Sequence, residues 1–167
     1  MTKYILIILM LLAPIAGASA DNLTPSPISI VPCPVRVVPG KGNFTFSDKT
    51  VFSVENHEQA VIARNSGIIP QLTMGSSEKS HVRFTTDSSL KSEAYLLEVT
   101  PQQILVKASD TKGFFYALQT IRLLLPPAIE GNQRAKCLDW NIPTVTIQDE
   151  PRFGYRALML DVARFFI

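Results

Sequence analysis

The chain has 167 residues, 46% hydrophobic and 18% charged, with 8 glycines and 12 prolines, a globular composition that excludes a disordered or collagen-like chain. It is too short for a complete (β/α)8 barrel, which runs to about 250 residues. Sixteen Lys and Arg against fourteen Asp and Glu leave a net charge of +2 with no basic block, so charge supports neither nucleic acid nor an anionic membrane surface as a partner.

Lys3 precedes an unbroken apolar run from Tyr4 to Ala13, and Ala18-Ser19-Ala20 supplies the small residues of a signal-peptidase site. Residues 1–20 therefore read as a secretory signal; the apolar run, broken at Pro14, falls short of the roughly twenty residues that span a bilayer. No other stretch could span, so no membrane span is expected after cleavage. Export, to the periplasm or outside the cell, would place Cys33 and Cys137 in an oxidising compartment. A bridge between them would close a long loop, worth on the order of 4 kcal/mol in the chain-entropy model; two unpaired thiols are the alternative.

After a Pro- and Ser-rich lead-in, Val35 to Val38 and Phe44 to Phe46 read as two short strands joined by a Pro39-Gly40-Lys41-Gly42 turn. Thr50 to Val54 is a third β-rich run. Asn56 as N-cap, with Gln59 three positions on, opens a helix that carries through Ala60 to Arg64 and stops at Gly67. Val82 and Phe84, then Tyr95, Leu97 and Val99, alternate with less apolar neighbours as half-buried strands do. Ile104, Val106 and Ala108 repeat the pattern after Thr100-Pro101-Gln102-Gln103, which makes a hairpin. Phe114, Leu118, Ile121 and Leu125 recur at helical spacing, with Asp110 or Thr111 as the cap and Pro126-Pro127 as the stop. Residues 128–141 read as loop and Thr144 to Ile147 as a short strand. Arg156 to Val162 is a nearly continuous apolar run, as in strands buried on both faces.

Chemistry-bearing residues are sparse. His57, His81, Cys33 and Cys137 lie no closer than 24 residues apart, a poor match to local metal-ligand spacing. Gly40-Lys41-Gly42 lacks the remaining elements of a phosphate loop, and there is no Gly-x-Ser-x-Gly elbow. Asp149-Glu150 is the adjacent acidic pair that glycosidic cleavage would suggest. Its place before Pro151 instead reads as a solvated turn between domains, with no strand end to position it. Asp161 and Arg164 fall where the last apolar run gives out, the strand end at which parallel α/β sheets bind ligands. An Arg there can grip vicinal hydroxyls with its planar fork, or form a structural ion pair with Asp161.

Three motifs in series carry a resemblance: Glu93-Ala-Tyr-Leu-Leu-Glu-Val, then Gly113 to Pro126, then Ile147-Gln-Asp-Glu-Pro-Arg-Phe-Gly-Tyr-Arg-Ala-Leu-Met-Leu-Asp-Val-Ala-Arg164. In that order they resemble the N-terminal region of the family 20 glycoside hydrolases, the β-N-acetylhexosaminidases. The resemblance implies an α+β fold for residues 21–149, a small, largely antiparallel sheet covered by two helices. Residues 150–167 would then begin a (β/α)8 catalytic barrel that is incomplete in this chain. By the same resemblance Arg164 is the substrate-binding arginine that holds the 3- and 4-hydroxyls of a terminal N-acetylhexosamine, and Arg156, opening the strand, is structural. Ala157 and Phe165 depart from the family's usual Gly and His. The family's catalytic Asp-Glu pair lies on a later strand, so no catalytic residue is assigned in this chain and Asp149-Glu150 is not that pair. The implied activity is retaining, substrate-assisted hydrolysis of N-acetylhexosamine-containing glycans without metal or other cofactor. Two other readings are a stand-alone carbohydrate-binding or interaction module, and the related small domain that precedes family 84 or family 67 hydrolases. The terminal strand and the tandem arginines favour family 20.

Overall fold

The computed structural model describes residues 28–47, 49–68, 71–75, 79–127 and 140–159. The expected signal segment, Cys137, Asp161 and Arg164 lie outside the described residues. Along the chain run β1 (Arg36–Phe46), β2 (Val51–Val54), α1 (His57–Asn65), β3 (Gln71–Met74), β4 (Val82–Thr86), β5 (Tyr95–Val99), β6 (Ile104–Ala108), α2 (Thr111–Leu124) and β7 (Trp140–Asp149). Among these residues no helix is long and apolar enough to cross a membrane.

Alternation decides which face of each strand is buried. Val82, Phe84, Tyr95, Leu97, Val99, Ile104, Val106 and Ala108 are all buried, as their period-two spacing requires, and the residues between them are half-buried. The helices cover this face: α1 packs on β2, β3 and α2, and α2 packs on β5, β6 and β7. Phe114, Leu118, Ile121 and Leu125 of the α2 segment point into the core. There Phe114 stacks on Phe84 with ring centroids 5.3 Å apart. Polar links cross this layer: the Tyr95 hydroxyl lies 2.6 Å from Thr120 Oγ1 and Gln59 Nε2 donates to Thr86 Oγ1 at 3.2 Å, and burial pushes the Tyr95 phenol up to about 12.

Both helix starts follow from local chemistry. Asn56 Oδ1 accepts from Gln59 N at 2.9 Å, and Gln59 Oε1 accepts from Glu55 N at 2.8 Å, a capping box displaced by one residue. Asp110, rather than Thr111, caps α2.

Three expectations are corrected. The sheet is mixed rather than largely antiparallel: in the order β1-β7-β5-β6-β4-β2-β3, the first three pairings are antiparallel and the last three parallel. One of the parallel pairs follows from α1, which serves as a crossover from β2 to β3, a connection that joins parallel neighbours; β3, Gln-Leu-Thr-Met, is not among the expected strands. Second, Arg36–Val38 of the expected Val35–Val38 strand and Phe44–Phe46 belong to one edge strand and not to a hairpin, because both halves pair with β7. The glycine-containing turn is a bulge in β1 between Pro39 and Asn43. Gly42 takes the left-handed φ of 98° there, and Thr144 Oγ1 donates to its carbonyl at 2.6 Å. Third, the expected loop up to Asn141 already belongs to β7 at Trp140, where β7 pairs with Phe46.

Residues 156–159, the described part of the expected terminal strand, pair with no strand, and Leu158 and Met159 are 90% and 93% exposed. A doubly buried strand needs neighbours on both edges and both faces, and the described residues supply none to this segment.

Candidate functional site

At the start of α2 one carboxylate does two jobs. Asp110 Oδ1 accepts from Gly113 N at 2.9 Å and so caps the helix. Its Oδ2 accepts from Ser92 Oγ at 2.6 Å and from Glu93 N at 3.0 Å, clamping the turn that precedes β5. Burial opposes charge on Asp110, but these three hydrogen bonds outweigh it and hold the carboxyl below the usual range. The clamped turn places Glu93 at φ 66°, a left-handed conformation that non-glycine residues seldom adopt. Gly113 lets the helix start approach this turn: a Cβ there would lie 2.5 Å from Ala94 O and 2.8 Å from Ala108 Cβ.

The result is a fixed acidic socket on the surface. Glu93 Oε1 takes Lys112 Nζ at 2.9 Å and Oε2 takes Arg156 Nη2. The same Nη2 lies 3.3 Å from Tyr116 Oη, Nη1 donates to Phe153 O at 3.2 Å, and the guanidinium carbon sits 5.9 Å from the Tyr116 ring centroid. Lys112 and Tyr116 stand one helical turn apart, which puts them on one face of α2. The Glu93 side chain is 19% exposed, against 44% for Arg156. The Arg156 hydrogen bond first, then that from Lys112, holds the Glu93 carboxyl below its ordinary value. Beside the socket, Lys91 Nζ reaches Glu150 Oε1 at 2.8 Å. A shallow cleft of about 280 Å³ separates the 91–93 turn from Glu150, Pro151, Phe153 and Gly154.

Arg156 is thus tied to Glu93, Tyr116 and the Phe153 carbonyl. The expectation for Asp149-Glu150 is corrected in one respect: Asp149 ends β7, opposite Tyr95, so a strand end does position it. Its Oδ1 accepts from Val35 N at 3.2 Å, whereas Glu150 turns to Lys91. Two carboxylates tied to separate structural partners are not arranged as an acid and nucleophile facing one bond. His81 Nδ1 accepts from Val51 N at 3.2 Å, and Cys33 is exposed. Among the described residues no three His, Cys, Asp or Glu side chains gather where a metal could bind. The socket escapes sequence reading because Glu93, Lys112 and Arg156 are scattered, Glu93 standing 63 positions before Arg156.

The socket has a testable pH signature. A carboxyl held below its ordinary value of 4.5 contributes its tie to Arg156 and Lys112 fully above that value, and loses it as pH falls through the lowered folded value. Carbon-detected NMR of the Glu93 carboxyl should therefore titrate below pH 4.5, with the Arg156 Nε–H signal broadening in step. Titration at or above 4.5 would mean that the ion pairs do not persist in solution.

Residues 27–150 match the family model for glycosyl hydrolase family 20, domain 2. A β-hexosaminidase of Porphyromonas gingivalis is 31% identical over 151 residues, covering 84% of this chain and 19% of that protein. The N,N'-diacetylchitobiase of Vibrio harveyi is 31% identical over 150 residues, covering 83% of this chain and 15% of that protein. Among solved structures, the Streptomyces plicatus N-acetyl-β-hexosaminidase in complex with Thio-NAglucal superposes with a TM-score of 0.73 at 27% identity, over 85% of this chain and 30% of that one. The chain thus spans less than a third of the length of each of these relatives.

Proposed function

The chain belongs to glycosyl hydrolase family 20, and on that premise we propose that it is the N-terminal part of an exported β-N-acetylhexosaminidase. In this reading residues 1–20 are the export signal, 21–149 form the small α+β domain, and 150–167 begin the catalytic barrel. The enzyme, periplasmic or extracellular, removes terminal non-reducing N-acetylhexosamine residues from glycans. It retains configuration by using the substrate's own 2-acetamido group as nucleophile. Arg164 holds the 3- and 4-hydroxyls of that sugar, and the general acid and the carboxylate that orients the acetamido group come from later barrel strands.

The observation that carries the reading is continuity. The match to domain 2 runs to residue 150, and the apolar stretch with an arginine at each end, Arg156 and Arg164, follows directly. A stand-alone binding module has no use for such a strand. The Lys3-led apolar run and Ala18-Ser19-Ala20 support export.

The 167-residue chain alone should show no turnover of an aryl N-acetyl-β-glucosaminide, because in this reading the general acid and the acetamido-orienting carboxylate lie on later barrel strands. The same chain continued by the reading frame that follows Ile167 should turn it over readily. Activity in the shorter chain, abolished by Asp149→Asn or Glu150→Gln, would overturn this division of labour.

A further inference from the structure

We propose that Glu93 is a positioning residue: with Lys112 and Tyr116 it forms a socket that locks Arg156 and so sets the register of the strand beginning there. The inference rests on the reading of that strand as the one that carries Arg164 to the sugar.

The backbone of the socket is held from within the domain. Ser92 and Glu93 are fixed by Asp110, the residue that caps α2, and Lys112 and Tyr116 ride on that helix. The contacts that fix this turn and helix start involve no residue beyond Glu150. Arg156 then uses every kind of contact a guanidinium can make: an ion pair with Glu93, a hydrogen bond to the Phe153 carbonyl, and the edge and face of Tyr116. Every hydrogen bond and ion pair described for residues 151–159 involves Arg156, while Phe153, Tyr155, Leu158 and Met159 around it stay largely exposed.

Register is the quantity such a lock would control. Most strands find register because one face is apolar and the other polar, so that a slip of one residue exposes the wrong set. Ala157-Leu158-Met159-Leu160 offers apolar side chains to both faces, and that pattern cannot tell one register from the next. A slip of one residue would nevertheless turn Arg164 to the opposite face. In the strand that this reading assigns, Arg156 and Arg164 are separated by eight residues, an even number, so anchoring the first would fix the face of the second.

Two measurements decide it. In the 167-residue chain, trypsin should cut after Arg156 about tenfold more slowly than after exposed Arg152, since a guanidinium held by Glu93 enters the protease only when released; Glu93→Gln should abolish the difference. Equal cleavage at both arginines in the unaltered chain would overturn the lock. In the chain continued through its barrel, Glu93→Gln and Arg156→Ala should each lower kcat about tenfold per folded molecule, and Arg156→Lys, which can still pair with Glu93, should recover most of that loss. A lowered Tm with wild-type kcat in both variants would reduce the socket to ordinary domain stability and overturn the positioning role. Absence of turnover in the unaltered continued chain would instead sink the functional reading and the positioning role that rests on it, and the protease result would still decide the lock.

Discussion

Gly113→Ala should cost the domain about 2–3 kcal/mol, near the upper end for overpacking a well-filled site. The added methyl would meet a backbone oxygen, Ala94 O, at 2.5 Å, and a backbone atom cannot rotate aside as a side-chain tip can. Either the first turn of α2 lifts or the 92–94 turn retreats, and both movements strain the bonds from Asp110 to Gly113 N, Ser92 Oγ and Glu93 N. For a domain with a total stability of about 5–15 kcal/mol this is a large fraction. Urea unfolding should show a lower midpoint with an unchanged slope. Gly154→Ala is the control: nothing lies within 4 Å of its added carbon, so a change within about 0.5 kcal/mol is expected. The Gly113 variant should also lose part of the tryptic protection at Arg156, because it displaces the turn that presents Glu93. A normal midpoint in Gly113→Ala would show that helix and turn are less closely fitted than their backbones indicate.

The parts of this fold legible in the sequence are those governed by short-range rules. Period-two burial in Val82/Phe84, Tyr95/Leu97/Val99 and Ile104/Val106/Ala108, the Asn56 and Asp110 caps, and the α2 stripe from Phe114 to Leu125 are each decided by residues within a few positions of one another. Strand direction is not so decided. Whether β2 and β4 run parallel depends on where α1 returns the chain, and Gln71–Met74, the strand it returns to, alternates polar and apolar over only four residues, which does not say which neighbour it pairs with. The Pro39–Gly42 stretch has the composition of a hairpin turn, yet β7 pairs along both sides of it, and a long-range partner converts turn chemistry into a bulge. The socket was hidden for the same reason. An acidic residue, a lysine and an arginine far apart in the chain look like solvated surface until the Asp110 clamp and the approach at Gly113 bring them together. Family resemblance reached further than the local rules, since three motifs in series pointed to the glycosyl hydrolase family 20 domain that matches residues 27–150.

Arg164→Lys, made in the chain continued through its barrel, should lower kcat/KM by about 1.5–3 kcal/mol, the range for a hydrogen bond to a charged group, or roughly 10- to 100-fold. Lysine keeps the charge but replaces a planar fork by a single rotating ammonium, so a bidentate hold on two neighbouring hydroxyls becomes a hold on one. The distribution of the loss carries the mechanistic information. If the grip were equally good in ground and transition states, only KM would rise; a grip that tightens as the ring distorts toward the oxocarbenium ion must also lower kcat. Arg156→Lys provides the contrast, since Arg156 touches Glu93, Tyr116 and the Phe153 carbonyl and keeps a charged partner after the change. Its loss should be several-fold at most, and Glu93→Gln should act through the same strand and add little on top of Arg164→Lys, because a misplaced lysine has little geometry left to lose. Fully additive losses in the Glu93→Gln, Arg164→Lys double variant would separate the socket from the sugar site. Wild-type kinetics in a destabilised Arg164→Lys enzyme would instead leave Arg164 paired with Asp161 as a structural element and return the hydroxyl contacts to residues further along the barrel.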